Sequence, residues 1–545
     1  MGVNRFGRAL RTTPGSALDG REHVVDGERR TRHRVARSPR PRRGLWWIDA
    51  AIVVVGVALA TSQFLANRIM SAFDSGVYFG AASQFAAGHL PYRDFVFVQP
   101  PGALVLLWPW AFIGRWTSTS VGFELARAFM VVVVAAVAVL VSRLLRPHGR
   151  SAALVGGLAV AFAPTAAFEM TAVKLEPYCL LLGLAGAYGV IQAQGRDPRT
   201  TRRLIVAAGV ALGVAGAVKL WALLLFLALV VCVWRIGRSL VLRFVAATGA
   251  GFALFAGPFF VLAPTQFINQ VILAQLLRTH NAQGTVTLMN RLSQLTGLRN
   301  TPLALNGVEI FAFYGLILVV SVLGYFLGGP RSVSDDFFLI ATALTMLALL
   351  ASKEFYNYYG YFLAPLMVGQ VVSSVSRVAR AVRSRESAGR SASRARHRRT
   401  SLRLAAGLLI AAGLGAGAFS GSRLVQVDAG PNPPTLIDHY IPPGSCVIFD
   451  DAIQGILANR LVAASSSCPV IIDSGGLSMT VGGAHPFKSA ALARVWRTDF
   501  LAVRYVVLAG LTPLGIPWTG ALYSWFVAHF HVVFNGFTYV IFQHD

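Results

Sequence analysis

The chain is poor in charge. Of its 545 residues only 13% are Asp, Glu, Lys or Arg, against 55% apolar, and the mean hydropathy is +0.59. A water-soluble domain keeps about a quarter of its residues charged. A soluble fold is therefore excluded, and a polytopic membrane protein is what remains. Acids are scarcer than bases, 23 against 49. The resulting +26 does not point to nucleic acid: the arginines gather in segments that flank apolar runs, as membrane topology requires, and no nucleic-acid-reading motif is present. Lysine is almost missing, with Lys174, Lys219, Lys353 and Lys488 alone. No His/Asp/Cys cluster has the spacing of a metal site. A cleavable signal is also lacking. Residues 1–44 are too long, polar and irregular for one and read as a disordered basic cytoplasmic tail.

What the chain does have is a succession of apolar runs. The expected spans lie near 45–66, 121–144, 151–167, 175–194, two within 204–234, 244–263, 307–328, 337–351, 356–375 and 402–421, eleven in all. Residues 100–114 are apolar but short and interrupted by proline, below the roughly 20 residues a crossing needs, and read as an interfacial or re-entrant helix. Under this count each strongly basic turn falls on the cytoplasmic side, including 376–401, where nine arginines from Arg377 to Arg399 face Glu386 alone. The organisation that follows is a 45–375 transmembrane catalytic module, a 376–401 cytoplasmic loop, a last helix at 402–422 and a 423–545 extracytoplasmic domain. In that last domain, short β-type runs at 446–450, 469–473 and 504–509, with a helix-compatible stretch at 452–464, indicate a small α/β fold. Cys179 and Cys232 fall inside spans. Cys446 and Cys468 lie in the outer domain, where a disulfide between them and two free thiols are both open.

The charges that do occur collect at one level. Asp74, Arg93, Asp94, Glu169, Lys174, Glu176, Lys219, Arg278, Arg291 and Lys353 all fall in outward loops or at outer span ends. Charge beside a bilayer is costly unless it has a use. Cations suit a phosphate-headed donor, and a carboxylate suits the activation of a hydroxyl acceptor. Residues 67–99, which hold Phe73-Asp-Ser-Gly-Val-Tyr78 and Pro91-Tyr-Arg-Asp-Phe95, are expected to form a polar outer loop, followed by Gln99-Pro-Pro-Gly102.

That order — an acid just after the first span, a Tyr-Arg-Asp run some twenty residues on, then Pro-Pro-Gly — resembles the GT-C superfamily of polyprenyl-phosphate-sugar glycosyltransferases, in particular the actinobacterial mannosyltransferases and arabinofuranosyltransferases. The tyrosine-rich Phe355–Pro365 segment is similar to the outer end of a late span in that superfamily. The resemblance implies an all-α polytopic fold with an outer C-terminal domain. It also implies inverting transfer of a single sugar, mannose or arabinofuranose, from a polyprenyl phosphate to an envelope glycan or lipoglycan at the outer face of the plasma membrane. By motif position Asp74 is the implied catalytic base and Asp94 the second carboxylate. Arg93, Lys219, Arg278, Arg291, Lys174, Glu169, Tyr78 and Tyr358 are the substrate-binding candidates. Some relatives use a divalent metal and others none, so a metal is left open and no other cofactor is implied. A transporter is the main rival; it would want broken helices and internal repeats, and no repeat is seen. A ligase or polymerase of polyprenyl-linked oligosaccharides is the other.

Overall fold

The computed structural model describes residues 45–66, 73–170, 172–276, 286–299, 304–356, 358–387, 436–483, 485–509 and 515–545. The expected span at 402–421, most of the basic loop before it and Arg278 lie outside these residues.

The helices of the first part are α1 (Trp46–Ala66), α2 (Phe73–Ala86), α3 (Gly102–Trp116), α4 (Thr119–Leu145), α5 (Arg150–Ala161), α6 (Pro164–Glu169), α7 (Glu176–Gln192), α8 (Pro198–Val218), α9 (Ala222–Ile236), α10 (Arg238–Leu262), α11 (Pro264–Phe267), α12 (Ala274–Leu276), α13 (Leu288–Leu295), α14 (Val308–Leu327), α15 (Val333–Ala351) and α16 (Tyr359–Ser387). Nine of the first ten expected spans each fall on a helix, and the span expected at 151–167 is divided between α5 and α6 by a break at 162–163. By length and composition α4, α8, α10, α14, α15 and α16 are long and apolar enough to cross a membrane, and α1, α5 and α9 hold shorter apolar helices. Their starts carry the usual signals. Asp197 accepts from the amides of Arg199 and Thr200 ahead of α8, with Pro198 as its first residue. Ser332 and Asp335 form a capping box at α15. Helices pack closely where small residues allow it: a Cβ at Gly213 of α8 would lie 2.1 Å from the Thr248 carbonyl oxygen of α10. Leu316 and Phe326 of α14 face away from the protein, as a lipid-exposed helix requires.

Basic turns converge at one end of the bundle. Arg143 and Arg146 bind Asp49, His148 and Arg377 bind Asp335, and Arg235 and Arg331 bind Asp336. Arg377, 2% exposed, also donates to the carbonyls of Gly324, Gly329 and Pro330, so it closes the end of α14, where carbonyls have no intrahelical partner.

The C-terminal part is a four-stranded sheet in the order β1-β2-β4-β3, built from β1 (Val447–Phe449), β2 (Tyr505–Leu508), β3 (Phe530–Asn535) and β4 (Val540–His544). β1 runs parallel to β2, and the other pairs are antiparallel. Cys446 and Cys468 are joined by a disulfide.

Four expectations need correction. Residues 73–86 of the expected polar loop form a helix, buried through Ser75–Gln84. It lacks a polar face because it sits between the transmembrane helices and the C-terminal sheet: Phe79 packs on Phe123, and Gln84 Nε2 donates to the Leu461 carbonyl. Second, the stretch left between the expected spans at 244–263 and 307–328 is largely helical where described, in α11–α13 with a π-helical stretch at Ile268–Leu273. Third, 469–473 makes no strand; Pro469 lacks the N–H a ladder needs, and Ile472 packs toward Gly80 of α2. The helix expected at 452–464 stops at Leu457, and Asn459 beyond it takes a positive φ of 54°.

Replacing Arg377 by Met should remove one partner of a buried ion pair and uncap α14, at about 3–5 kcal/mol. Denaturant unfolding of the purified protein in detergent measures this, with exposed Arg383→Met as a control expected within about 0.5 kcal/mol of the parent.

Candidate functional site

At the end of the bundle opposite the basic turns, four breaks between helices meet. α2 opens with Asp74 in its first turn, and α7 opens with Glu176 and Pro177. Both acids stand at helix N-termini, where the macrodipole favours negative charge, and Lys219 stands at the C-terminus of α8, where it favours positive charge. Ser75 Oγ donates to the Val173 carbonyl over 3.2 Å. That bond holds the α6–α7 turn against α2 and brings Lys174 Nζ to 2.8 Å from Asp74 Oδ2. Lys219 Nζ binds Glu176 Oε1. Aromatic rings roof the two lysines: the Tyr358 ring centroid is 3.7 Å from Lys174 Nζ, and those of Trp221 and Tyr359 are 4.6 Å and 5.4 Å from Lys219 Nζ.

The lysines and glutamates of the cluster are buried, while the Asp74 side chain keeps 25% exposure. Glu169 and Glu176 are fully buried, Lys174 is 2% exposed and Lys219 6%. Burial pushes the Asp74 carboxyl up, but the Lys174 ammonium and hydrogen bonds from Lys174 and Tyr358 outweigh it and hold Asp74 below its ordinary value. Glu169, in the turn beyond α5, is held well above its ordinary value by burial and by the charge of Glu176. Both its carboxyl oxygens are buried without a hydrogen-bond partner among the described residues. Two ion pairs balance four of the charges, and burial disfavours the ionised form of Glu169. Burial and Asp74 hold the Tyr78 hydroxyl, one turn along α2, well above its ordinary value.

The structure brings together Asp74, Tyr78, Glu169, Lys174, Lys219 and Tyr358. It does not bring in Arg93, Asp94 or Arg291. Arg93 and Asp94 pair with each other over 2.8 Å beyond the far end of α2, whose 14 residues put about 21 Å between the ends. Arg291 donates from Nε and Nη1 to the carbonyls of Val286, Leu349, Leu350 and Ser352, and so closes the end of α15. Among the described residues no group of three or more metal-ligating side chains occurs, and the chemistry below is derived without a metal.

Sequence reading missed what the C-terminal domain adds. A Cβ at Gly76 would lie 2.5 Å from the Ile453 amide nitrogen, so the start of helix Ala452–Leu457 rests on α2 two residues after Asp74. Asp451 caps that helix through the Ile453 amide, and burial with the nearby charge of Asp74 pushes it up to about 6. Asp473, which caps helix Ser474–Val481, acts electrostatically on Tyr78. A carboxylate at the end of an apolar run, just before a helix, was the available signal. Its meeting with residue 74 is a contact across more than 370 positions.

Comparison with solved structures gives the same architecture. ArnT from Cupriavidus metallidurans bound to undecaprenyl phosphate superposes with a TM-score of 0.58 at 14% identity, covering 92% of this chain and 98% of that one. The GT-C fold is the result. AglB, the archaeal oligosaccharyltransferase from Archaeoglobus fulgidus, matches with a TM-score of 0.50 at 13% identity over 85% of this chain and 69% of its own. Residues 105–268 match the family described as dolichyl-phosphate-mannose-protein mannosyltransferase. No curated protein matches the chain significantly. The resemblance read from the first outer segment thus holds at the level of the fold, and within the GT-C fold Asp74 falls on α2, directly after α1.

Lys174→Met should leave burial as the main influence on Asp74 and raise its pKa. The ionised fraction then falls at a given pH, so the acid limb of the pH–activity profile should move to higher pH. A pH profile of kcat/KM in detergent or nanodiscs measures this; an unmoved acid limb would contradict the pairing.

Proposed function

We propose that this protein is a membrane glycosyltransferase that moves one sugar, mannose or arabinofuranose, from a polyprenyl-phosphate donor to an envelope glycan or lipoglycan, with inversion. The proposal places this chemistry at the outer face of the plasma membrane. The observation that carries it is the Asp74–Lys174 pair: an ionised carboxylate clamped by a cation, in a largely buried cluster at the end of the bundle away from the basic turns. The GT-C fold and the mannosyltransferase family match support the reading.

In the proposed reaction the donor phosphate binds beside Lys174 and Lys219. A phosphate that shares Lys174 loosens its hold on Asp74, which frees the carboxylate for the acceptor hydroxyl. The acceptor O–H bond breaks as its proton passes to Asp74. The oxygen attacks the anomeric carbon from the face opposite the phosphate, and the C–O bond to phosphate breaks. Polyprenyl phosphate leaves as an anion and needs no acid. Tyr358 positions Asp74, Lys219 pairs with Glu176 until a phosphate approaches, and Tyr78 lines the same wall. With the basic turns inside, α2, the cluster and the C-terminal sheet face outward.

Asp74→Asn is nearly isosteric and should keep donor binding while lowering turnover by about 10²–10⁴. Vesicles supplied with one radiolabelled polyprenyl-phosphate sugar at a time give the donor and the rate together. Near-normal turnover would remove Asp74 from the role of base, and transfer of a preassembled oligosaccharide would favour the ligase reading. For topology, a cysteine placed at Ser445, with Cys446 and Cys468 changed to serine, should react with an impermeant thiol reagent in intact cells. Reaction only after lysis would invert the orientation.

A further inference from the structure

The Tyr-Arg-Asp run is left without a role by the site around Asp74, yet the chain holds it firmly. Tyr92 has a φ of 68°, a left-handed conformation that a bulky residue adopts only when its surroundings enforce it. Its hydroxyl donates to the Gln99 carbonyl over 2.7 Å, its ring packs on Phe267, its amide bonds the Phe95 carbonyl, and Asp94 Oδ2 accepts from the Leu90 amide over 2.7 Å. This bracing points Arg93, 54% exposed at its side chain, and Asp94 into a cleft of about 720 Å³ between the end of α2 and residues 462–470 of the C-terminal domain. That volume lies within the range of ligand sites. Arg115 forms part of the wall and donates to the Ala86 carbonyl at the end of α2. Ser465 and Ser466 face the arginines, and the Cys446–Cys468 disulfide ties down the segment that carries them.

A narrow space of about 10 Å³, room for a single water, shares His89, Ala463 and Ser465 with the cleft and leads inward past Leu461, Ile471 and Ile472 to Gln84. Gln84 is 3% exposed. Its Nε2 donates to Leu461, which fixes the orientation of the amide, and its Oε1 is buried without a hydrogen-bond partner. A buried carbonyl oxygen calls for a donor. A single water in the narrow space can supply one and pass the hydrogen bond outward to the cleft. The carboxylate of Asp94 and the guanidinium of Arg93 side by side suit vicinal hydroxyls, which donate to one and accept from the other. The lining has no long aliphatic side chain that would suit an acyl tail.

We propose that this cleft is a second glycan-binding site, about one α2 length from Asp74, that holds a distant part of an oligosaccharide acceptor. It rests on the acceptor reading above and deepens it: the acceptor is a chain of several sugars rather than a single residue or a free lipid headgroup.

The test uses the full-length protein in nanodiscs with linear manno-oligosaccharides and arabinofurano-oligosaccharides of two to six sugars as probes, read by saturation-transfer NMR without donor. The parent and Asp74→Asn should bind the longer members of one series alike. Ser466→Trp, a substitution at an exposed position that fills the cleft, and Arg93→Gln, which removes the exposed guanidinium beside Asp94, should each weaken that binding at least tenfold. Binding by both variants equal to the parent overturns the proposal, as does failure of the parent to bind either series. Binding of a short-chain anionic phospholipid by the parent, lost in Ser466→Trp, with no oligosaccharide binding, would make the cleft a headgroup site and also overturn it. Normal turnover of Asp74→Asn would refute the catalytic assignment instead, and the NMR result would still decide the cleft.

Discussion

The site depends on one constraint: ionisable groups taken out of water must be compensated where they stand. Asp74, Glu169, Glu176, Lys174 and Lys219 lie within a few helix breaks of one another, most of them nearly inaccessible. The arrangement answers by pairing. Lys174 neutralises Asp74, Lys219 neutralises Glu176, and burial disfavours the ionised form of Glu169. Buried ion pairs seldom repay their desolvation in stability, so five such groups at one point are better explained by reactivity than by folding. The same constraint at the other end of the bundle gives a different outcome. There Asp49, Asp335 and Asp336 are tied to arginines that also close helix ends, and the network braces turns.

In the proposed reaction, that pairing couples donor and acceptor chemistry. A base that stayed clamped by an ammonium would be a weak one. A base freed only when a phosphate competes for the lysine is available when there is a donor to attack. An arriving anion meets two cations that are each shared with a carboxylate. The C-terminal domain belongs to this unit, because Gly76 admits the start of helix Ala452–Leu457 only for want of a side chain.

The helical bundle was legible because crossing a bilayer imposes a length and a charge bias that leave marks in a single sequence, and nine of the first ten spans each fall on a helix. α2 was hidden for a physical reason. A helix buried on every side has no polar stripe, and Phe73–Ala86, rich in Gly, Ala and Ser, carries no periodic signal to separate it from a loop. Within the site, residues joined to α2 by short-range logic, Asp74 and Tyr78, were found together, and the scarcity of lysine singled out Lys174 and Lys219. Arg93 and Asp94 were placed beside Asp74 because twenty residues in a loop bring two points close, whereas twenty residues that include a helix hold them apart. Arg291 was a cation at the right depth whose partners are backbone carbonyls, which no side-chain pattern reveals. Asp451 and Asp473 come from a domain more than 370 residues away.

The claim that most needs a direct measurement is that Lys174 holds Asp74 ionised and yields to the donor phosphate. Titrating the Asp74 carboxyl by isotope-edited infrared spectroscopy, with and without a polyprenyl phosphate, addresses it. The account predicts a carboxyl ionised below the ordinary aspartate range in the free protein, with a pKa that rises when the phosphate binds and shares the lysine. A titration unchanged by the phosphate, in a protein that demonstrably binds it, would contradict the account.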